Sequence, residues 1–316
     1  MVDISRIRAL ALEACSGGRS GPKAASGESG WMGWFARQGA SQRRKCLQLV
    51  AEHYTARGWQ HAYRQYADLV RRHVHRGAVV ADVGCGRSFE MAQFLLNCGA
   101  RPHGIDPLGT AQALPPGAVL KVGSVYDIPY EDARFDLIIT RSALEHLEWP
   151  QAAFREFHRV LRPTGRMIFL TANRYDYASL GAMLVPNAFH GKLVKWMEGR
   201  DESDTFPTFY RANSTRALRR LAETVGLHIE SLEYYNNYPS YLMFNTWLCR
   251  MAIAYDELIR RVSCLCWLQA WIIGVLTKQP LAQAFQAPGQ DCSHHVPAER
   301  YRDPLAKESR AEAGVR

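Results

Sequence analysis

Gly84 and Gly86 stand two residues apart in Ala81-Asp82-Val83-Gly84-Cys85-Gly86-Arg87-Ser88, and Asp106 follows 20 residues beyond Gly86 in Gly104-Ile105-Asp106-Pro107. Glycines at that spacing let a backbone turn sharply and approach a ligand with no Cβ in the way, beside the free amides of a helix start. A carboxylate at that distance is placed to accept both hydroxyl hydrogens of a ribose. A strand-to-helix turn alone would select the same glycines, so neither part says much by itself; the pair points to a nucleoside site. Nicotinamide enzymes share the pair, which leaves the chemistry open. Two further groups extend the constellation: Asp127, in Gly123-Ser124-Val125-Tyr126-Asp127, and the run Arg141-Ser142-Ala143-Leu144-Glu145-His146 that ends an apolar stretch.

The elements that must hold these residues are legible as apolar runs. Residues 78–84, 119–125, 135–141 and 166–173 are rich in Val, Ile, Leu or Phe, and 101–106, with Ile105, reads as a further run between them. Connections long enough to cross over separate them, which predicts an α/β fold: a Rossmann-like, doubly wound, mostly parallel sheet with helices on both faces. Ligands bind such sheets beyond the carboxyl ends of the strands, and each chemically capable residue falls at such an end.

Around this core, residues 15–30 are dominated by Gly, Ser, Ala and Lys, and residues 1–40 are expected to form a flexible leader. Tyr63, Tyr66, Val70 and Val74 recur at helical spacing, with Gly77 as a stop, so residues 41–77 are expected to form one or two amphipathic helices. The catalytic domain is expected over 78–236, with 174–212 inserted as a substrate lid. That insertion includes Asn187, His190, Trp196, Asp201, Asp204, Phe206, Pro207, Phe209 and Tyr210, a mixture suited to a sugar or ring-bearing ligand, or else to a structural cover. Asn213 or Ser214 then caps a helix over 217–224 closed by Gly226, residues 227–235 read as strand six, and strand seven is expected within 238–244. Residues 237–278 read as an apolar helical extension, and 279–316 as a disordered tail. Within the extension, residues 262–276 are apolar but fall short of the roughly 20 residues that cross a bilayer. A buried packing helix, an oligomer surface and an interfacial membrane anchor are all consistent with them.

The turn at 82–86, Asp106, Asp127, Phe135 to Leu147 and the passage Phe157-His158-Arg159-Val160-Leu161-Arg162-Pro163-Thr164-Gly165 occur in the order and spacing of one family. Over residues 78–173 the chain resembles the type 11 group of class I methyltransferases, which use S-adenosylmethionine (SAM). The resemblance implies SAM as cofactor, with Asp82, Gly84 and Gly86 toward its methionine part and Asp106 on the ribose. It places Val125 and Asp127 at the adenine, and Arg141 and Ser142 toward the methionine end. His146 is then the candidate base for an oxygen acceptor, with Glu145 to orient it, although a packing or capping role would account for the same residue. Two departures stand out: Ser88 occupies the usual third glycine position, and Pro115-Pro116 shortens the segment where a second helix is usual.

Charge narrows the acceptor. Of 39 Lys and Arg, 13 lie in the first 80 residues against 5 acids, leaving 26 against 25 for the rest of the chain. A nearly neutral core disfavours a nucleic-acid groove, and Thr140-Arg141-Ser142-Ala143 lacks the motif of base amino-group methylation. A small-molecule acceptor is therefore expected, such as an oxygen of a sugar, glycolipid or quinone-type compound. An RNA or protein methyltransferase, or a nucleoside-binding protein without catalysis, are the alternatives. Eight cysteines without a CxxC pair suggest neither a disulfide framework nor a metal site. The start of the chain does not read as a signal peptide, so a cytoplasmic protein is expected, membrane-associated if 262–276 acts as an anchor.

Overall fold

In a computed structural model of the chain the described residues are 30–55, 60–87, 89–110, 114–184, 207–237, 239 and 242–279. Apolar alternation builds the sheet. Val79, Ala81 and Val83 of β1 (Val79–Val83) face one side and Val80 the other, and each meets its own buried cluster. The same period of two runs from Leu137 to Ile139 of β4 (Phe135–Arg141), where an irregular register sets Phe135 apart, and along β5 (Leu161–Ala172). In β5, Met167 and Phe169 enter one cluster and Ile168 and Leu170 the other. Such alternation is what a pleated strand requires when both faces are covered. With β2 (Arg101–Asp106), β3 (Val119–Val122), β6 (Leu227–Tyr235) and β7 (Trp271–Lys278), the sheet has the order β3-β2-β1-β4-β5-β7-β6. The first five strands are parallel, and β7 inserts antiparallel between β5 and β6. The strand order reverses between β1 and β4, the place where such sheets bind ligands.

Helices cover both faces. Tyr66 and Val70 of α2 (Ala62–His73) and Leu95 of α3 (Ala92–Asn97) bury against Val80, Ile139, Ile168 and Ile273. On the other face, Phe154 and Phe157 of α4 (Pro150–Val160) and Leu218 and Leu221 of α6 (Thr215–Val225) pack on Ile138, Phe169 and Ile272. Ser214 accepts from the Ala217 amide at 3.2 Å to start α6, and Gly226, at φ +78°, ends it. A short α5 (Tyr177–Leu184) follows β5. A third cluster joins α1 (Gly30–Thr55) to α7 (Thr246–Arg261) through Cys46, Val50 and Cys249, and there the buried Tyr54 hydroxyl donates to Asp256 at 2.7 Å.

The predicted doubly wound sheet is present, and three local expectations are corrected. Helix α1 already begins at Gly30, so residues 30–40 are not leader; the Gly- and Ser-rich composition that suggested a leader stops there. Strand seven was expected in 238–244, of which the described residues 242–244 belong to a turn. It lies within the supposed helical extension. Among the described residues of that extension only Thr246–Arg261 is α-helical; a 3-10 turn at Ser263–Leu268 precedes β7. Trp271 to Leu276 are buried and bonded to a strand on each side, which removes them as a bilayer-facing or subunit-facing surface. A strand covered on both faces is a continuous apolar run, and periodicity cannot tell it from a buried helix. Among the described residues no helix is long and apolar enough to cross a membrane. Residues 107–110 and 114–118, where the second helix was expected to be curtailed, contain no helix. Most of the expected tail, Ser88, and residues 185–206 of the expected lid lie outside the described residues.

Candidate cofactor and acceptor site

The turn after β1 is built as the glycines require. Gly84, at φ +74°, donates its N–H to the Ile105 carbonyl at 2.8 Å, and a Cβ there would come within 2.7 Å of the Ala143 Cβ. Gly86, at φ +72°, differs: a Cβ on it would meet nothing within 4 Å. One glycine closes the turn against β4; the other leaves a bare backbone facing open space. The carboxylate of Asp106 ties this turn to β2. Its Oδ2 accepts the Gly86 amide at 2.9 Å, its Oδ1 accepts the Leu108 amide at 2.8 Å, and the residue is buried. An ionised carboxylate has about four acceptor positions, so two amides leave capacity for the hydroxyls of a ribose.

Register brings the other candidates to the same edge. Asp82 pairs with Ile139 and Gly104, Asp106 with Val122, and Arg141 with Leu170. Asp82 is buried, and desolvation pushes its carboxyl up to about 7 despite the Arg141 charge that pulls the other way. Arg141 itself is committed: its guanidinium meets Glu90 at 2.8 Å and lies over the Tyr63 ring at 4.8 Å. Ser142 adopts φ +55°, and its hydroxyl shares a 2.8 Å hydrogen bond with the Tyr63 hydroxyl. Beyond β3, Val125 is half-buried and Asp127 exposed, in a loop closed by the Asp127 N–H on the Ser124 carbonyl at 3.2 Å. Tyr63 and Glu90 are site neighbours that spacing did not reveal. Tyr63 carries an ordinary helical-core signal in the sequence, and only the packing of α2 against the sheet takes its ring to the end of β4.

His146 ends a 3-10 turn, Leu144–His146, on the rim above β4. Its Nδ1 lies 2.9 Å from the Pro207 carbonyl. A carbonyl only accepts, so Nδ1 carries the proton there, and in the neutral ring the basic lone pair is on Nε2. Glu145 was expected to orient this ring, but its buried carboxylate accepts from the Thr171 hydroxyl at 2.9 Å, which in turn accepts from Asn213 at 2.7 Å. Burial raises the Glu145 carboxyl, with the adjacent His146 opposing. The Glu145 carbonyl meanwhile accepts the amides of Phe209 and Tyr210 at 2.8 and 3.2 Å. The distal end of the insertion is thus docked on the turn that carries His146.

A methyltransferase-domain family model matches residues 81–169. A "Probable S-adenosylmethionine-dependent methyltransferase" of Mycolicibacterium smegmatis is 30% identical over 165 residues, 48% of this chain and 63% of that protein. The ubiquinone biosynthesis O-methyltransferase of Pseudomonas syringae is 32% identical over 124 residues, 35% of this chain and 53% of that protein. A ubiquinone/menaquinone biosynthesis C-methyltransferase of Paraburkholderia phymatum is 28% identical over 115 residues, 34% and 45% respectively. The chain therefore spans less than two thirds of the length of these curated relatives. The matched segment carries most of β1 to β5 and the turn at Gly84 and Gly86, and over it the chain is similar to SAM-dependent methyltransferases.

Proposed function

We propose that the chain transfers the methyl group of SAM to an oxygen of a small-molecule acceptor, with a quinone-type or sugar compound as the leading class. The observation that carries this reading is the meeting, at one sheet edge, of a ribose-competent carboxylate on an open glycine turn with an imidazole whose Nδ1 is held by a carbonyl. SAM, when bound, supplies a methyl group on a positively charged sulfur that is already activated. The protein's own work is positioning and proton removal. Asp106 holds the ribose hydroxyls, Gly84 and Gly86 admit the methionine part, and Asp82 faces its ammonium. Val125 and Asp127 border the adenine, while Arg141 and Ser142 support the methionine end from the main chain. His146 would take the proton of the acceptor hydroxyl on Nε2 as the oxygen gains the methyl and the S–CH3 bond breaks, leaving neutral S-adenosylhomocysteine.

The relatives named for oxygen and carbon methylation in ubiquinone biosynthesis support a ring-bearing acceptor, and the near-neutral charge beyond residue 80 supports a small molecule over nucleic acid. The deciding experiment supplies SAM labelled in its methyl group together with extracts separated into lipid, soluble metabolite, RNA and protein pools. Label in the lipid or metabolite pool is expected. Label confined to RNA or protein, or no transfer despite SAM binding, refutes the reading.

A further inference from the structure

The first turns of α6 carry Arg216, Arg219 and Arg220, and its first turn holds no acid. A helix N-terminus already bears a partial positive charge and favours anions, so Arg216, in that first turn, opposes its own helix dipole. Arg216 and Arg220 are also a like-charge pair four residues apart on one helix. None of the three forms an ion pair among the described residues. Two more arginines arrive from other segments. Arg174, just after β5, lies over the Tyr175 ring and has a buried Nε without a hydrogen-bond partner. Arg211, from the end of the insertion, donates to the Glu148 carbonyl.

Arg174, Arg211, Arg216 and Arg220 line one groove of about 620 Å³ together with Trp149 and Tyr175, and the one carboxylate in its wall is Glu148. Trp149 is 58% exposed and Tyr175 39%. We infer that this groove is the acceptor subsite for an anionic group, phosphate or carboxylate, carried on a ring or apolar body. Guanidinium forks match oxyanions in paired hydrogen bonds, and an anion there relieves both the repulsion among the arginines and the conflict of Arg216 with the α6 dipole. The exposed rings offer faces for the body of the molecule. The volume suits a small ligand, and the near-neutral charge beyond residue 80 argues against a long polyanion. The groove wall includes Glu148, two residues after His146, which puts the groove beside the turn that carries the proposed base.

The inference rests on the methyl-transfer reading, and the test separates the two. Titration calorimetry on the full chain uses phenyl phosphate as probe, with inorganic phosphate and phenol as controls, and S-adenosylhomocysteine for the cofactor site. Phenyl phosphate should bind the parent at least fivefold more tightly than either control, and more weakly as salt is raised. Arg216→Gln/Arg220→Gln should weaken it at least tenfold with S-adenosylhomocysteine affinity unchanged. Trp149→Ala should weaken phenyl phosphate while leaving inorganic phosphate unaffected. Equal phenyl phosphate binding by parent and double variant overturns the inference. So does parity between phenyl phosphate and inorganic phosphate, or binding of a short RNA oligonucleotide at these arginines in place of phenyl phosphate. Failure of the parent to bind S-adenosylhomocysteine strikes instead at the methyl-transfer reading.

Discussion

Asp106→Asn preserves the size of the side chain at the end of β2 while removing its charge and one of its two acceptor oxygens. In the parent both oxygens already work, Oδ2 on the Gly86 amide at 2.9 Å and Oδ1 on the Leu108 amide at 2.8 Å. An asparagine can present its oxygen to only one of these amides, and its NH2 group then opposes the other N–H, leaving a donor unpaired. That costs about 1 to 3 kcal/mol of stability, or roughly 2 to 4 °C of melting temperature per kcal/mol for a chain of this size. A ribose loses in addition one hydrogen bond to a charged acceptor, about 1.5 to 3 kcal/mol, which is roughly 10- to 150-fold in affinity. Calorimetry with S-adenosylhomocysteine reads the second quantity and a thermal melt the first. A melting shift with affinity kept within about twofold of the parent would refute the ribose role and reduce Asp106 to a brace for the glycine turn.

Three other outcomes are expected. His146→Ala should lower kcat by roughly 100-fold or more on whichever acceptor pool takes the label, with SAM affinity unchanged; unaltered turnover would return the residue to a structural role. Asp82, held near 7 by burial, is largely protonated in the free protein below that pH. Pairing with the ligand's ammonium lowers it again, so binding should release a proton and tighten by about tenfold between pH 6 and pH 8. Calorimetry in buffers of different ionisation enthalpy checks this, and Asp82→Asn should flatten the profile; a flat parent profile contradicts the assignment. For the folded state alone the sign is opposite: the raised carboxyl favours folding at low pH, and its contribution disappears as pH rises from 3.8 to about 7. Gly274→Ala places a methyl group 2.6 Å from Phe169 Cε1 and 2.7 Å from Leu232 Cδ2, between β5 and β6. Overpacking of this kind costs about 1 to 3 kcal/mol, visible as a lower midpoint in a urea melt, and an unchanged midpoint would mean that the sheet yields there at no cost.

The sequence alone determined the parts whose signals are local. Gly84 and Gly86 announce a turn because their backbone needs φ values that other residues adopt at a cost. Four of the first five strands declare themselves as apolar runs bounded by turns; β2, with Ile105 as its one large aliphatic residue, does not. Asp106 sits at a fixed distance along one βαβ unit, so its meeting with the glycine turn follows from local geometry. Tertiary structure decided everything that depends on which distant segments touch. The stretch from Trp271 to Leu276 is equally apolar as helix or strand, and only the gap between β5 and β6 makes it β7. Tyr63 reaches Ser142 across 79 positions, Pro207 holds His146 across 61, and arginines from three segments share one groove. No periodicity or spacing encodes such contacts, because each partner satisfies an ordinary local pattern and gains its role only when packing brings the two together.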